Sequence, residues 1–381
     1  MPRFLLLYGV LYAGFGVQSP YLPALLQGRG LRPEAIGLVL AAGTAVRLAA
    51  GPVAGRLADR YDRPKLIFAL CAVAAALLGL GYVAVQGLLP LLAVGLVQAA
   101  ALAPLAPLCD TLALAAAAPG QNGPGFHYGW VRGAGSAAFI LGSLASGQAI
   151  GRFGNAVIVW FAAPLLAAAA AATPLAPRLE RAPSRPAAAT VERGGVAALV
   201  RLEPFRRAVL VAALILGSHA MHDGFAVIRW EAAGIGPGTA GMLWSEGVMG
   251  EVVVFLLLGR PLLDRLGPAG AATLSAAAGI LRWGVMAETA SLPAMAVVEP
   301  LHGLTFALLH LALMQVFAET VPPRLAATAL TLYGTLGIGA ATAVLTLLSG
   351  PLYADFGAYG FWAMAALCAL ALPLARGLPA A

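Results

Sequence analysis

Long apolar runs recur along almost the whole chain, many near twenty residues in length and separated by brief polar turns. That spacing constrains the fold more than any other feature. A bilayer core about 30 Å thick needs about 20 apolar residues per helical crossing. Lipid offers no hydrogen-bond partners, so a crossing segment is a helix or part of a closed barrel. Barrel strands alternate apolar and polar residues, and these runs do not, so helices are expected. Composition agrees: 61% of the 381 residues are hydrophobic and 10% are charged, where soluble domains carry about 25% charged residues.

Twelve spans are expected, at 4–26, 35–56, 65–85, 88–116, 126–150, 155–175, 206–230, 237–258, 268–288, 291–318, 325–350 and 357–375. The first reads as a retained span and not a signal peptide, because its apolar core is long and no small-residue cleavage site follows. Residues 1–175 make one six-span bundle and residues 206–381 a second. Between them, 176–205 is rich in proline, arginine and small residues, the composition of a cytoplasmic linker. Its end, 196–207, is patterned for a short amphipathic helix on the membrane surface. The expected fold class is an all-α membrane protein of two pseudo-symmetric six-helix bundles, with short loops making successive helices antiparallel neighbours.

The formal charge of +7 reflects sidedness and gives no sign of a nucleic-acid partner. Of 23 basic residues, sixteen fall on one side of these spans and four on the other (Arg29, Arg32, Arg152, Arg229). Three lie within spans: Arg47, Arg132 and Arg282. The richer side is expected to be cytoplasmic, with both termini there. Cys71, Cys109 and Cys368 lie singly in apolar runs, so neither a disulfide framework nor a metal site is expected. Most of the 46 glycines read as close-packing positions between helices.

A dense knot of charge sits at Gly51–Lys65, between spans two and three. It carries Arg56, Asp59, Arg60, Asp62, Arg63 and Lys65. A weaker copy follows at Gly259–Gly267, with Asp264 and Arg265 in the matching places. Two helices joined by a tight charged turn, present once in each half, is the simplest reading.

Other charges stand inside spans, where each costs about 2.5–3.5 kcal/mol at the bilayer centre. In a helical hairpin, residues equidistant from the turn share a depth. Asp110 and Arg132 are equally far from Gln121, in the turn at Pro119–Gly125. They are expected to form a buried pair or to face one cavity. Arg282 lies eight residues before Ala290 and Glu299 nine after it, so they share a depth, and His302 lies one helical turn beyond Glu299. Span seven holds Ser218, His219, His222 and Asp223, and span eight holds Glu246 and Glu251. For His302 a buried packing role competes with titration, and for His310 packing is the plainer account. Arg47 has no evident partner. His219 and Asp223 have the spacing of some acyltransferases, but no nucleophile or nucleotide loop accompanies them, so no enzyme is expected and no cofactor is implied.

Gly55-Arg56-Leu57-Ala58-Asp59-Arg60-Tyr61-Asp62-Arg63-Pro64-Lys65 resembles the signature loop of the major facilitator superfamily, which usually has glycine where Asp62 stands. Over nearly its whole length the chain is similar to the 3-phenylpropionate transporter group, relatives of the lactose and nucleoside proton symporters. The stretches that carry this are Tyr21-Leu22-Pro23, Gly30–Gly37, Tyr128-Gly129-Trp130-Val131-Arg132, Trp230–Gly234, Leu243-Trp244-Ser245, Arg282-Trp283-Gly284 and Leu301-His302. The resemblance implies alternating access and proton-coupled uptake of a small organic substrate, such as an aromatic carboxylate. It implies substrate binding by Asp110 and Arg132, and places Arg282 and His302 where proton coupling occurs. Arg282 and His302 are also candidates for the substrate site, with Arg132 or Arg282 forking onto a carboxylate. Trp244, Trp283, Phe306 and Tyr12 are candidates to cover a ring. The lactose permease's proton-carrying glutamate is replaced here by Thr305, so another acid must serve: Glu251 first, then Glu246, Asp223 and Glu299. Gly55, Asp59, Arg60, Arg63, Asp264 and Arg265 become candidates for a conformational switch. The expected setting is a monomer in the bacterial inner membrane, with substrate, protons and lipid as partners. A sugar or nucleoside symporter, a drug exporter and a non-transporting receptor or scaffold stand as alternatives.

Overall fold

The computed structural model describes residues 1–117, 126–176 and 195–379. The described residues are helical, with no strand among them. In chain order the first helices are Pro2–Gln18, Leu22–Gly28, Pro33–Tyr61, Pro64–Gly79, Gly81–Ala84, Leu88–Leu102, Leu105–Ala117, Tyr128–Phe153 and Val157–Ala172. Then come Gly195–Arg201, Glu203–Gly217, Ala220–Ala232, Pro237–Val253, Gly259–Glu288, Leu292–Val298, Leu309–Thr320, Ala326–Leu332, Ala341–Phe356 and Phe361–Arg376. Three π-helical stretches, Val254–Leu258, Gly303–Leu308 and Tyr333–Ala340, interrupt this second group.

Among the described residues, eight helical segments are long and apolar enough to cross a membrane. Two of them, Pro237–Glu288 and Pro323–Arg376, run 52 and 54 residues, about two crossings each. They turn at Gly267 (φ 63°) and Gly357 (φ 54°). Together with Pro2–Gly28 and Tyr128–Phe153, these segments account for the twelve crossings of the expected fold. The turn at Pro119–Gly125 lies outside the described residues, as does most of the linker at 176–205. Of the surface helix expected at 196–207, the part at Gly195–Arg201 is a helix of its own, and the next begins at Glu203.

Five expected spans are interrupted. The breaks fall at Ser19–Tyr21, Leu80, Ala103–Pro104, Ser218–His219 and Glu299–Leu301. Three contain a proline (Pro20, Pro104, Pro300), which removes a donor and clashes with the preceding turn. Those at Leu80 and Ser218–His219 do not. At the latter Ser218 Oγ donates to the Ile215 carbonyl at 2.6 Å, and His219 Nδ1 lies 3.1 Å from the Leu216 carbonyl. Side chains that satisfy nearby carbonyls compete with the helix ladder, and here they bend it.

The chain divides into two compact units. The first is Met1–Ala182 with Trp230–Ser245, and the second is Pro183–Arg229 with Glu246–Ala381. In the first, Phe4, Leu7, Tyr8 and Leu11 pack with Phe68, Leu105, Leu112 and Leu166. Helices Pro2–Gln18 and Tyr128–Phe153 touch backbone to backbone. A Cβ at Gly16 would run into the Phe139 carbonyl, and one at Gly142 into the Ala13 carbonyl. In the second unit Gly250 and Gly303 play the same part, each leaving no room for a Cβ against the opposite backbone. In both units only glycine permits the approach that the polar side chains described below require.

The charged turn at Gly51–Lys65 ends its helix in a defined way. Asp62 sits at φ 52° and is the sole described non-glycine residue with positive φ. The Asp62 N–H bonds the Asp59 carbonyl at 3.2 Å and the Arg63 N–H bonds the Ala58 carbonyl at 3.1 Å. This is a Schellman cap, whose left-handed position favours glycine. Aspartate is among the few other residues that visit it, which explains how this chain departs from the motif without losing the turn. In the second copy Gly267 takes that place, three residues after Asp264 as Asp62 is three after Asp59.

Candidate functional site

The first unit holds a tyrosine-rich cluster. Tyr8 and Tyr128 both donate to Asp110 Oδ1, at 2.5 and 2.9 Å. Tyr8 stacks on Tyr12, with centroids 5.6 Å apart and planes 7° from parallel. Arg132 places its guanidinium 4.9 Å from the centroid of the Tyr12 ring and donates to Ser136 Oγ at 3.1 Å. The expected Asp110–Arg132 ion pair is not formed: no pair within 4.0 Å joins them among the described residues. Equal depth sets the level of two side chains but not their rotation about each helix. Asp110 is engaged by two phenols, and Arg132 turns onto an aromatic face one step away. Asp110 is half-buried and Arg132 exposed. Arg132 therefore keeps donors for an outside anion. Trp244, half-buried, lies in the Trp230–Ser245 part of this unit.

The second unit holds a continuous chain of polar contacts, much of it buried. Arg282 Nη2 donates to Glu299 Oε2 at 2.6 Å, and both residues are fully buried. Their positions eight and nine residues either side of Ala290 bring these two to one depth, and here they meet. Arg282 Nη1 lies 3.0 Å from His302 Nδ1, and His302 Nε2 lies 2.8 Å from Glu251 Oε1. Guanidinium only donates, so His302 Nδ1 is the acceptor and its Nε2–H points at Glu251. On the other side, His222 Nε2 lies 3.2 Å from both Glu299 oxygens. His222 Nδ1 lies 3.3 Å from Asp223 Oδ1. The path runs Glu251, His302, Arg282, Glu299, His222, Asp223. Its ends are the most accessible parts: the side chains of Glu251 and Asp223 are 24% and 56% exposed, against 1% for Arg282 and Glu299.

Local structure explains the placement. The Gly250–Gly303 contact sets Glu251 beside His302, and each of these two residues is followed closely by a π-helical stretch, a deviation frequent at functional sites. The bend at Ser218–His219 turns His222 toward Glu299. His219 itself bonds Thr305 Oγ1 through Nε2 at 2.9 Å. It packs edge-on to His302 with centroids 4.9 Å apart. Glu246 is half-buried, and its Oε2 has no hydrogen-bond partner among the described residues.

One aromatic expectation needs correction. Trp283 is fully buried and donates its indole N–H to Ser218 Oγ at 2.8 Å, so it packs and does not line an open surface. Phe306 stacks on the His302 ring with centroids 5.8 Å apart. His310 contacts the Tyr333 hydroxyl at 3.2 Å. Sequence reasoning gave no part to Tyr8 or Tyr128 and singled out no role for His222. The signals were there: Tyr8 and Tyr12 are one helical turn apart on the span that faces Tyr128–Phe153, and His222 stands one turn after His219.

The switch candidates stand in solvent. Asp59, Arg60 and Arg63 are exposed, and no ion pair of theirs falls within 4.0 Å among the described residues. A Cβ at Gly55 would meet nothing within 4 Å. In the second copy Asp264 is bonded by Arg260 Nε at 2.8 and 3.0 Å, in an exposed pair one turn apart, and Arg265 is exposed.

Twelve helical crossings with charged networks held inside them are the architecture of a membrane transporter. The MFS_1-like family profile matches residues 3–364, and the chain belongs to that family, within the major facilitator superfamily. It is 33% identical over 369 residues to the probable 3-phenylpropionic acid transporter of Escherichia coli K12, covering 94% of this chain and 92% of that one. It is 30% identical over 354 residues to the maltose permease of Geobacillus stearothermophilus, covering 91% and 86%. Among solved structures, the nucleoside transporter NupG superposes with a TM-score of 0.85, covering 99% of this chain and 97% of that one at 16% identity. That likeness concerns the fold.

Proposed function

We propose that the protein is a proton-coupled symporter that takes up a small organic anion, 3-phenylpropionate or a related aromatic carboxylate, by alternating access. It works as a monomer in the bacterial inner membrane, with both termini cytoplasmic and the covalent halves 1–175 and 206–381 as its two bundles. One observation carries the coupling: the unbroken contact path from Glu251 through His302, Arg282, Glu299 and His222 to Asp223. A proton arriving on Glu251 converts a charge-assisted hydrogen bond from His302 into a neutral one, about half as strong. The proton thereby loosens one helix contact while the buried Arg282–Glu299 pair persists. The anion is met by Arg132, an exposed arginine that lies over the Tyr12 ring and forms no ion pair among the described residues. The name of the Escherichia coli relative supports the aromatic acid. Asp59, Arg60, Arg63, Asp264 and Arg265 serve the conformational cycle from the charged turns.

The test is uptake of labelled 3-phenylpropionate into proteoliposomes under an imposed pH gradient, with protein-free liposomes subtracting passive entry of the protonated acid. Accumulation that follows an acid exterior and collapses with a protonophore is expected. No protein-dependent accumulation under either gradient direction would overturn the reading. Uptake of maltose or a nucleoside instead would move the protein to the sugar or nucleoside class.

A further inference from the structure

We propose that Arg47 is the midplane anchor for the substrate's carboxylate and so determines the protein's preference for an acid over its uncharged analogues. This deepens the reading above and rests on its anionic substrate.

Arg47 stands at the midpoint of the Pro33–Tyr61 helix, at the depth where transporters of this architecture hold substrate. A charge there is costly and marks a pathway or site unless it is compensated. Among the described residues Arg47 has no hydrogen bond and no ion pair. The one described ionisable group acting on it is the Tyr82 phenol, which brings no negative charge at neutral pH. Its helix packs on the same side. At about 100° per residue, Arg47 falls within about 40° of Ile36, Gly43, Ala54 and Ala58 around the helix. All four of those residues are buried. The exposed apolar positions Ala45, Ala49 and Val53 lie on the other side. Yet Arg47 itself is exposed. A mid-span arginine on the packed side of its helix, exposed and lacking an acid, has the environment of a site that awaits an anion. Its donor fork matches a carboxylate bidentately. Arg132, by contrast, sits in the first turns of its helix, nearer one membrane surface, where it meets the same anion on the way in or out.

The test measures equilibrium binding to purified protein in detergent, so that it does not depend on proton coupling. The probes are 3-phenylpropionate and its neutral amide, 3-phenylpropionamide, against wild type, Arg47→Gln and Arg47→Lys. Wild type is expected to prefer the acid. Arg47→Gln should weaken acid binding about 10- to 100-fold, the range of a lost hydrogen bond to a charged group, and leave the amide within a few-fold. Arg47→Lys, which keeps the charge but not the fork, should fall between. The acid-to-amide ratio is internal to each variant, so partial loss of folded protein does not mimic the effect. An unchanged ratio in Arg47→Gln, with wild type binding the acid, overturns the assignment of Arg47 and leaves the proposed function standing. Wild type that binds neither probe but binds an uncharged sugar or nucleoside overturns both.

Discussion

The two polar clusters begin from one sequence pattern and end in opposite states. Each sets an acid and an arginine on adjacent helices, equally far from the turn between them. In the second unit Arg282 and Glu299 meet at 2.6 Å, fully buried and braced by His222 and His302. In the first, Asp110 is held by Tyr8 and Tyr128 while Arg132 lies over Tyr12. The intervening phenols make the difference: they satisfy the acid with neutral donors and leave the arginine's charge uncommitted. One cluster is closed upon itself. The other has a cation to offer a ligand.

The largest expected effect breaks the closed cluster. Arg282→Met leaves Glu299 buried without its cation and should cost about 3–5 kcal/mol of stability, read as a large fall in apparent Tm in detergent. Adding Glu299→Leu should restore much of it, since the pair is replaced by apolar volume. A single variant that melts like wild type would show that the buried pair does not hold the helices. Next, Arg132→Ala should lower uptake at least about 10-fold, equivalent to about 1.4 kcal/mol of lost binding. Its melting should move little, because the residue is exposed. Normal transport by that variant would remove Arg132 from the ligand path. The smallest effect tests the phenols. Tyr128→Phe deletes one of two donors to Asp110 and should cost about 1–2 kcal/mol, well short of Arg282→Met. A loss as large as that of Arg282→Met would mean that the first cluster is as tightly built as the second.

Much of the fold was legible because bilayer thickness acts on every span alike, so run length alone counts the crossings. The proline breaks at Pro20, Pro104 and Pro300 follow from residue type. The bend at Ser218–His219 does not, since serine and histidine bend a helix only where their side chains find a carbonyl. Depth can be read by counting from a turn, which brings Arg282 and Glu299 to one level. Rotation cannot, and so Asp110 and Arg132 match in depth without meeting in the structure. Trp283 escapes sequence reasoning for the same reason: a tryptophan looks alike in sequence whether it faces a cavity or a core. His222 carries no motif of its own, and its place between Glu299 and Asp223 depends on the bend before it.

That bend has a consequence for motion. A proline bend is permanent, because no rearrangement restores the missing donor. The one at Ser218–His219 is held by two side-chain-to-carbonyl contacts, together about 1–3 kcal/mol, and the backbone there keeps every N–H it needs to become straight helix. Span seven, unlike the three spans broken at proline, can thus be mended and broken again at thermal cost. Straightening it would re-aim His222 away from Glu299 and part the chain of polar contacts at its buried middle, while both ends stay in place.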